Sequence, residues 1–179
     1  YEYSLSVLLK SWGITPDFVI GYSLGEYVAA CVSGMFTLET AFDILIERGR
    51  LINTLNSGGM LGVPLSLKAV RPYFTNGINV AINNGESIVV SGKQKHLKIF
   101  KEVLRHSGID TIEINNLYAL HSSEMQPILS DFEEILLKHN LQKPTIPMIS
   151  GVKGTWNDLE DISTDYWIKH LSETIEFHK

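Results

Sequence analysis

The segment Gly21-Tyr22-Ser23-Leu24-Gly25 constrains this chain more than any other stretch of it. The apolar run Phe18-Val19-Ile20 precedes it, and the helix-forming Glu26-Tyr27-Val28-Ala29-Ala30-Cys31 follows. A serine between two glycines at a strand-to-helix junction can sit on a strained turn whose crowded backbone the glycines relieve. Its hydroxyl then stands exposed above the sheet edge. The N–H of the next residue, Leu24, points at any oxyanion formed there. The order of strand, turn and helix is the context that distinguishes such a nucleophile elbow from a chance Gly-x-Ser-x-Gly. It makes the chain an α/β protein with a serine placed for attack.

Size and charge narrow the rest. At 179 residues with 44% hydrophobic content and a net charge of −5, the chain can bury a core of its own. Its basic residues are scattered rather than gathered into a stripe, which argues against nucleic acid as a ligand. The single cysteine, Cys31, excludes an internal disulfide; set in an apolar helix, it reads as a buried structural thiol, and the composition fits a reducing, cytoplasmic setting. No metal-ligand spacing occurs among the six histidines. There is neither an apolar run of about 18 residues nor a basic leader, so no membrane role is expected. The chain opens on Tyr1 inside a helical pattern, which reads as a piece of something longer.

Leu5, Leu8, Leu9 and Trp12 recur at helical spacing before Gly13, and Pro16 separates that helix from the strand Phe18 to Ile20. The helix after Ser23 should stop near Gly34. Thr37 should cap a longer one with Leu38, Ala41, Phe42, Leu45, Ile46 and Leu51 or Ile52 on its apolar side, ended by Ser57-Gly58-Gly59. From Met60 the rhythm changes: strand 60–64, a helix capped by Ser66 and shortened by Pro72, strand 78–83, an Asn84-Gly85 turn, strand 87–91, helix 94–106, strand 110–114. That β-α-β-β-α-β order is ferredoxin-like. A loop carrying His121, a helix 124–139, a strand 146–150 and a helix 165–172 complete the chain. The expectation is therefore an α/β-hydrolase-like large subdomain, residues 1–60 and 116–179, interrupted by a small ferredoxin-like subdomain, residues 61–115, with a binding cleft between them.

Serine needs a base, and His121, in a loop returning from the small unit, is the leading candidate; the alternative is a surface or capping histidine. His96, His106 and His139 fall on polar helix faces and are expected to be solvated. Arg48 either pairs with Glu47 or Asp43 on its own helix or grips a substrate carboxylate through two parallel hydrogen bonds. Asn83, before Asn84-Gly85, has a substrate-binding reading and a plain hairpin one. Glu26 favours its helix through the dipole whatever else it does.

Taken together, these stretches resemble the acyltransferase family of polyketide and fatty acid synthases, the malonyl-CoA:acyl carrier protein transacylases. Five collinear blocks carry the resemblance: SWGITPDFVIGYSLGEYVAACVSGMFTLETA, ERGRLI with GGM, NNGESIVVSG, YALHSSEMQPIL, and ISGVKGTW with DYWIKHLSETIEF. The resemblance implies a ping-pong transfer. Ser23 would attack a coenzyme A thioester with His121 as base and the Leu24 amide in the oxyanion hole. Arg48 would hold the free carboxylate of a malonyl unit, with Tyr22, Asn83 and Leu120 lining the pocket. The acyl group would pass to the phosphopantetheine thiol of an acyl carrier protein, with a ketosynthase among the neighbouring domains and no bound cofactor. The backbone carbonyl of His170 would orient His121, so the His170 side chain should matter little.

Leu24 and Leu120 resemble the malonyl-selective pattern, whereas Tyr118 resembles the methylmalonyl one, and malonyl is the expectation. Tyr22 stands where the family usually has histidine, and no glycine- and glutamine-rich oxyanion segment precedes Tyr1. Two other readings remain at this point. A serine thioesterase or hydrolase would need an acid between Ser23 and His121 in chain order, for which Asp110 is the candidate. The other is an inactive, truncated module.

Overall fold

Each early helix ends where the sequence places a glycine with a left-handed backbone. In a computed structural model that describes residues 1–157 and 163–179, α1 spans Glu2–Ser11 and is followed by Gly13 at φ +81°. Strand β1 (Val19–Ile20) leads through Ser23 into α2 (Gly25–Val32), and Gly34 at φ +84° turns the chain out of it. The Thr37 side chain accepts from the Thr40 N–H at 3.1 Å and caps α3 (Leu38–Ile52). The inner face of α3 is Ala41, Ile44, Arg48 and Ile52; Phe42 and Ile46, expected on that face, are exposed. The observed stripe steps by three and four residues, and Arg48 lies on it.

Ser57-Gly58-Gly59 does not end α3, which stops at Ile52; the two glycines open β2 (Gly58–Val63). The reason is close packing. A Cβ on Gly58 would lie 2.8 Å from the Ala119 amide nitrogen, and one on Gly59 would lie 2.8 Å from Gln94 Nε2. The helix capped by Ser66, α4 (Leu67–Val70), is a single turn that passes into a 3₁₀ turn at Arg71–Tyr73, as Pro72 requires. Then come β3 (Ile78–Asn83), β4 (Ile88–Lys93), α5 (Gln94–His106) and β5 (Ile112–Ile114). The expected helix 124–139 is two pieces. A 3₁₀ stretch, Ser123–Ile128, contains Pro127, which has no N–H for an α-helical bond, and α6 (Leu129–Leu136) follows. Strand β6 (Met148–Ile149), α7 (Thr164–Ser172) and β7 (Ile175–Glu176) close the chain.

Among the described residues the strands form two sheets. One is the parallel pair of β1 and β6, with Val19 opposite Met148 and Ile20 opposite Ile149. The other has the order β5-β2-β4-β3-β7. Its first four strands are antiparallel neighbours in the arrangement a βαββαβ unit adopts, and β7, which sequence patterning did not anticipate, adds in parallel to β3 with Ile82 opposite Ile175.

Three apolar clusters fill this frame. The largest gathers Tyr27, Phe36, Ile44, Phe132, Trp167 and Leu171 from four helices and the loop after α2. A second lies between the mixed sheet and α5, around Val90, Phe100 and Leu104. A third, on the opposite face of that sheet, unites Met60, Ala81, Ile82, Val89 and Ile175. Leu120 and Val152 pack against both the first and the third, so the loop holding His121 runs along the seam. No helix among the described residues is long and apolar enough to cross a membrane.

Candidate active site

Ser23 adopts φ +50°, a left-handed conformation that a non-glycine residue holds only under constraint from its surroundings. Three tight bonds supply the constraint: the N–H groups of Gly25, Glu26 and Tyr27 donate to the carbonyls of Tyr22, Ser23 and Leu24 at 2.9 to 3.2 Å. The Leu24 N–H takes no part in these bonds. Gly21 is sterically required, since a Cβ there would lie 2.2 Å from both the nitrogen and Cα of Glu26. Gly25 is not, because its Cβ would meet nothing nearer than Glu2 Oε2 at 3.7 Å.

The fold brings His121 to this turn from 98 residues away, with Nε2 2.7 Å from Ser23 Oγ. His121 is also left-handed, at φ +53°, and is 1% exposed, so the surface or capping reading does not hold. Its Nδ1 lies 2.9 Å from the carbonyl of His170, so Nδ1 carries the hydrogen and Nε2 is left to accept from the serine. Burial, then His170, then the Arg48 charge push the His121 pKa down to about 3, against which the His170 carbonyl bond acts weakly. The imidazole is therefore neutral through the physiological range, the form a general base needs. Asp110 is exposed, and the nitrogen that a triad acid would hold is occupied by a carbonyl instead.

Arg48 is buried, with its guanidinium carbon 5.9 Å from the centre of the Tyr27 ring. The pairing with Glu47 does not form, because Glu47 bonds Arg50. Arg48 Nε has no protein partner, which leaves its N–H free to donate. Burial, partly offset by the Arg48 charge, raises the Tyr27 hydroxyl to about 12.

The other predicted residues fall around this core. Tyr22 is exposed, its ring 4.9 Å from that of Phe177 in an edge-on contact, and the Phe177 N–H donates to the Asn83 carbonyl at 2.9 Å. The Asn83 side chain links the hairpin to β7: its amide donates to Glu176 Oε2 at 3.0 Å and its oxygen accepts from the Gly85 N–H. A cleft of about 430 Å³ opens beside His121, walled by Asn79 and Val80 of β3, Ser123, Val152 and Thr174.

Two further expectations need correction. His96 and His139 are half-buried rather than solvated, and the His96 ring packs where a side chain on Gly77 would stand. The His170 side chain, expected to be immaterial, is fully buried with Nε2 3.1 Å from Glu26 Oε2. Sequence reasoning passed over Glu26 except for its dipole effect. The signal was present, since Glu26 lies three and four residues before Ala29 and Ala30 on the buried face of α2. Cys31 is half-buried, and burial followed by Glu39 raises its thiol to about 11, which makes it a poor nucleophile.

The profile of the acyl transferase domain matches residues 2–179. The chain belongs to the acyl transferase domain family. It is 35% identical over 178 residues to the mycoketide-CoA synthase of Mycobacterium tuberculosis, covering 98% of this chain and 4% of that protein. It is 33% identical over 184 residues to the polyketide synthase GfsA of Streptomyces halstedii, covering 99% of this chain and 2% of that one. The solved acyl transferase domain of SpnD, in complex with 2-(pent-4-yn-1-yl)malonyl, superposes with a TM-score of 0.94 at 31% identity, over 98% of this chain and 43% of that one. The chain thus spans less than half of that solved domain and a small part of the synthases.

Proposed function

We propose that this chain moves a malonyl unit from coenzyme A to the phosphopantetheine thiol of an acyl carrier protein through an acyl-serine intermediate. The observation that carries the reading is the 2.7 Å contact between Ser23 Oγ and the Nε2 of a buried, neutral His121 whose other nitrogen is fixed by a carbonyl. Ser23 Oγ attacks the thioester carbonyl as its proton passes to His121 Nε2. The tetrahedral oxyanion faces the Leu24 N–H at the head of α2. Collapse breaks the carbon–sulfur bond, and His121 returns the proton to the departing thiolate. The carrier thiol then repeats the steps in reverse, giving His121 its proton, attacking the ester and leaving Ser23 free.

Arg48 selects the acyl group. A buried guanidinium whose Nε has no protein partner can bind a carboxylate by two parallel hydrogen bonds and so favours malonyl over a simple acyl chain. The malonyl derivative in the SpnD domain supports this class of substrate. Leu120, at the seam between the large and small cores, crowds the branch position and favours malonyl over methylmalonyl, while Tyr118 hydrogen-bonds Asn53 at 2.9 Å. Residues 1–60 and 116–179 form the large subdomain in this reading and residues 61–115 the inserted one, with ketosynthase and carrier domains of a synthase as neighbours.

Intact-mass analysis after mixing with malonyl-CoA tests it. A malonyl adduct should form, vanish in Ser23→Ala, and form about 10- to 100-fold more slowly in Arg48→Ala, the loss expected for a charged hydrogen-bonded pair. Acetyl-CoA should not distinguish Arg48→Ala from the parent. An adduct that survives Ser23→Ala would overturn the reading.

A further inference from the structure

The carboxylate of Glu26 is fully buried, three residues after the proposed nucleophile, and its ligands come from the far end of the chain. Both oxygens lie 3.2 Å from the Gly151 N–H, the Tyr166 hydroxyl donates to Oε1, and His170 Nε2 lies 3.1 Å from Oε2. Ser150 Oγ, 3.0 Å from the Tyr166 hydroxyl, extends the set. The site has no slack, since a Cβ on Gly151 would lie 2.4 Å from Glu26 Oε2.

The backbone of Glu26 belongs to the serine turn, because its N–H donates to the Ser23 carbonyl at 3.0 Å. The backbone of His170 belongs to the base, because its carbonyl accepts from His121 Nδ1. One buried contact therefore ties the element holding the nucleophile to the element orienting the imidazole. Neither Glu26 nor the His170 side chain touches the reacting atoms.

We infer that Glu26 and the His170 side chain form a positioning strut that sets the Ser23–His121 geometry. The hydrogen bonds from Gly151 and Tyr166 hold the carboxylate in one orientation, burial strengthens them by excluding water, and the His170 ring lies against it in a 3.1 Å contact. Through this strut, α7 cannot rotate or slide without displacing the carbonyl that aims His121. The inference rests on the roles proposed above for Ser23 and His121.

The test compares Glu26→Gln, His170→Leu and His170→Gln with the parent protein. Glutamine at 170 keeps a nitrogen donor at a similar reach, whereas leucine keeps only the volume and the backbone carbonyl. Two rates are measured: labelling of Ser23 by a fluorophosphonate, in which the serine oxygen bonds to phosphorus, fluoride leaves as an ion and the serine proton passes to His121, with no need of coenzyme A, and malonylation at saturating and limiting malonyl-CoA. Thermal melting confirms that each variant is folded. Glu26→Gln and His170→Leu should slow labelling about tenfold or more, and lower the maximal malonylation rate with little change in KM. His170→Gln should recover to within about twofold of the parent, and the Glu26→Gln/His170→Leu double variant should be no slower than the slower single. Should Glu26→Gln not fold, the two His170 variants decide.

Parent-like labelling in both Glu26→Gln and His170→Leu would overturn the strut, and malonylation of the parent would leave the transfer reading standing. Parent labelled by the fluorophosphonate but untouched by malonyl-CoA, with the variants slowed, would overturn the transfer reading and uphold the strut.

Discussion

His121 carries two constraints at once, a left-handed backbone and an imidazole shut away from water. Its pKa of about 3 in the folded chain lies below the ordinary value near 6.5, so the unfolded chain binds the proton more readily. The stability that this neutral histidine contributes is whole above pH 6.5 and is lost progressively as pH falls towards 3. The slope is about 1.4 kcal/mol per pH unit, which removes about 2 kcal/mol by pH 5. Urea denaturation at pH 7 and pH 5 should show this loss, and His121→Asn should reduce it by that amount. The same depression predicts that Ser23 acylation by malonyl-CoA shows no acid limb near pH 6.5 and stays flat down to about pH 5. A half-maximal rate near pH 6.5 would contradict it. The candidate base was legible because His121 follows the small unit in a loop. Its depressed pKa was not, since that depends on neighbours 49 and 73 residues away, His170 and Arg48.

At the scale of elements, the two glycines of the serine turn are unequal. Gly21→Ala forces a methyl group to within 2.2 Å of the Glu26 backbone and should cost at least about 3 kcal/mol or prevent folding. Gly25→Ala, at the first position of α2 with 3.7 Å of room, should be neutral or stabilise by up to about 1 kcal/mol. Chemical denaturation of the pair checks both, and equal losses would show that the turn is not tight in the way described. Pattern alone read this turn as symmetric, because the motif names both glycines and only the return of α2 past Gly21 distinguishes them. Caps and proline effects were read well, as Thr37, Ser66 and Pro72 show, because they act within one turn of the chain. The apolar face of α3 was read less well. Phe42 and Ile46 count as apolar by type, but position on the helix, not type, decides which side meets the core, and there Arg48 takes a buried place.

Across the whole molecule, β7 is the point where the closing segment enters the five-stranded sheet. Ile175 is fully buried in the cluster with Ala81 and Ile82, the Phe177 N–H bonds the Asn83 carbonyl, and the Thr174 hydroxyl donates to the Val80 carbonyl at 2.7 Å. Ile175→Ala should cost about 2 to 4 kcal/mol through the cavity it leaves. Because β7 follows α7 directly, the same variant should also slow Ser23 labelling. A stability loss with unchanged labelling would show that β7 anchors the sheet without reaching the site.

The amino-acid sequence by itself determined the local pieces: the serine turn, the capped helices, the βαββαβ order and the candidacy of Ser23, His121 and Arg48. Each depends on contacts within a few residues or on a periodicity that survives without a partner. Tertiary structure alone decided that β7 joins the five-stranded sheet, that Arg48 faces inward, and that Glu26 meets His170. Those outcomes depend on close packing and on hydrogen bonds between groups far apart in the chain, and only the folded arrangement puts such groups within reach of one another.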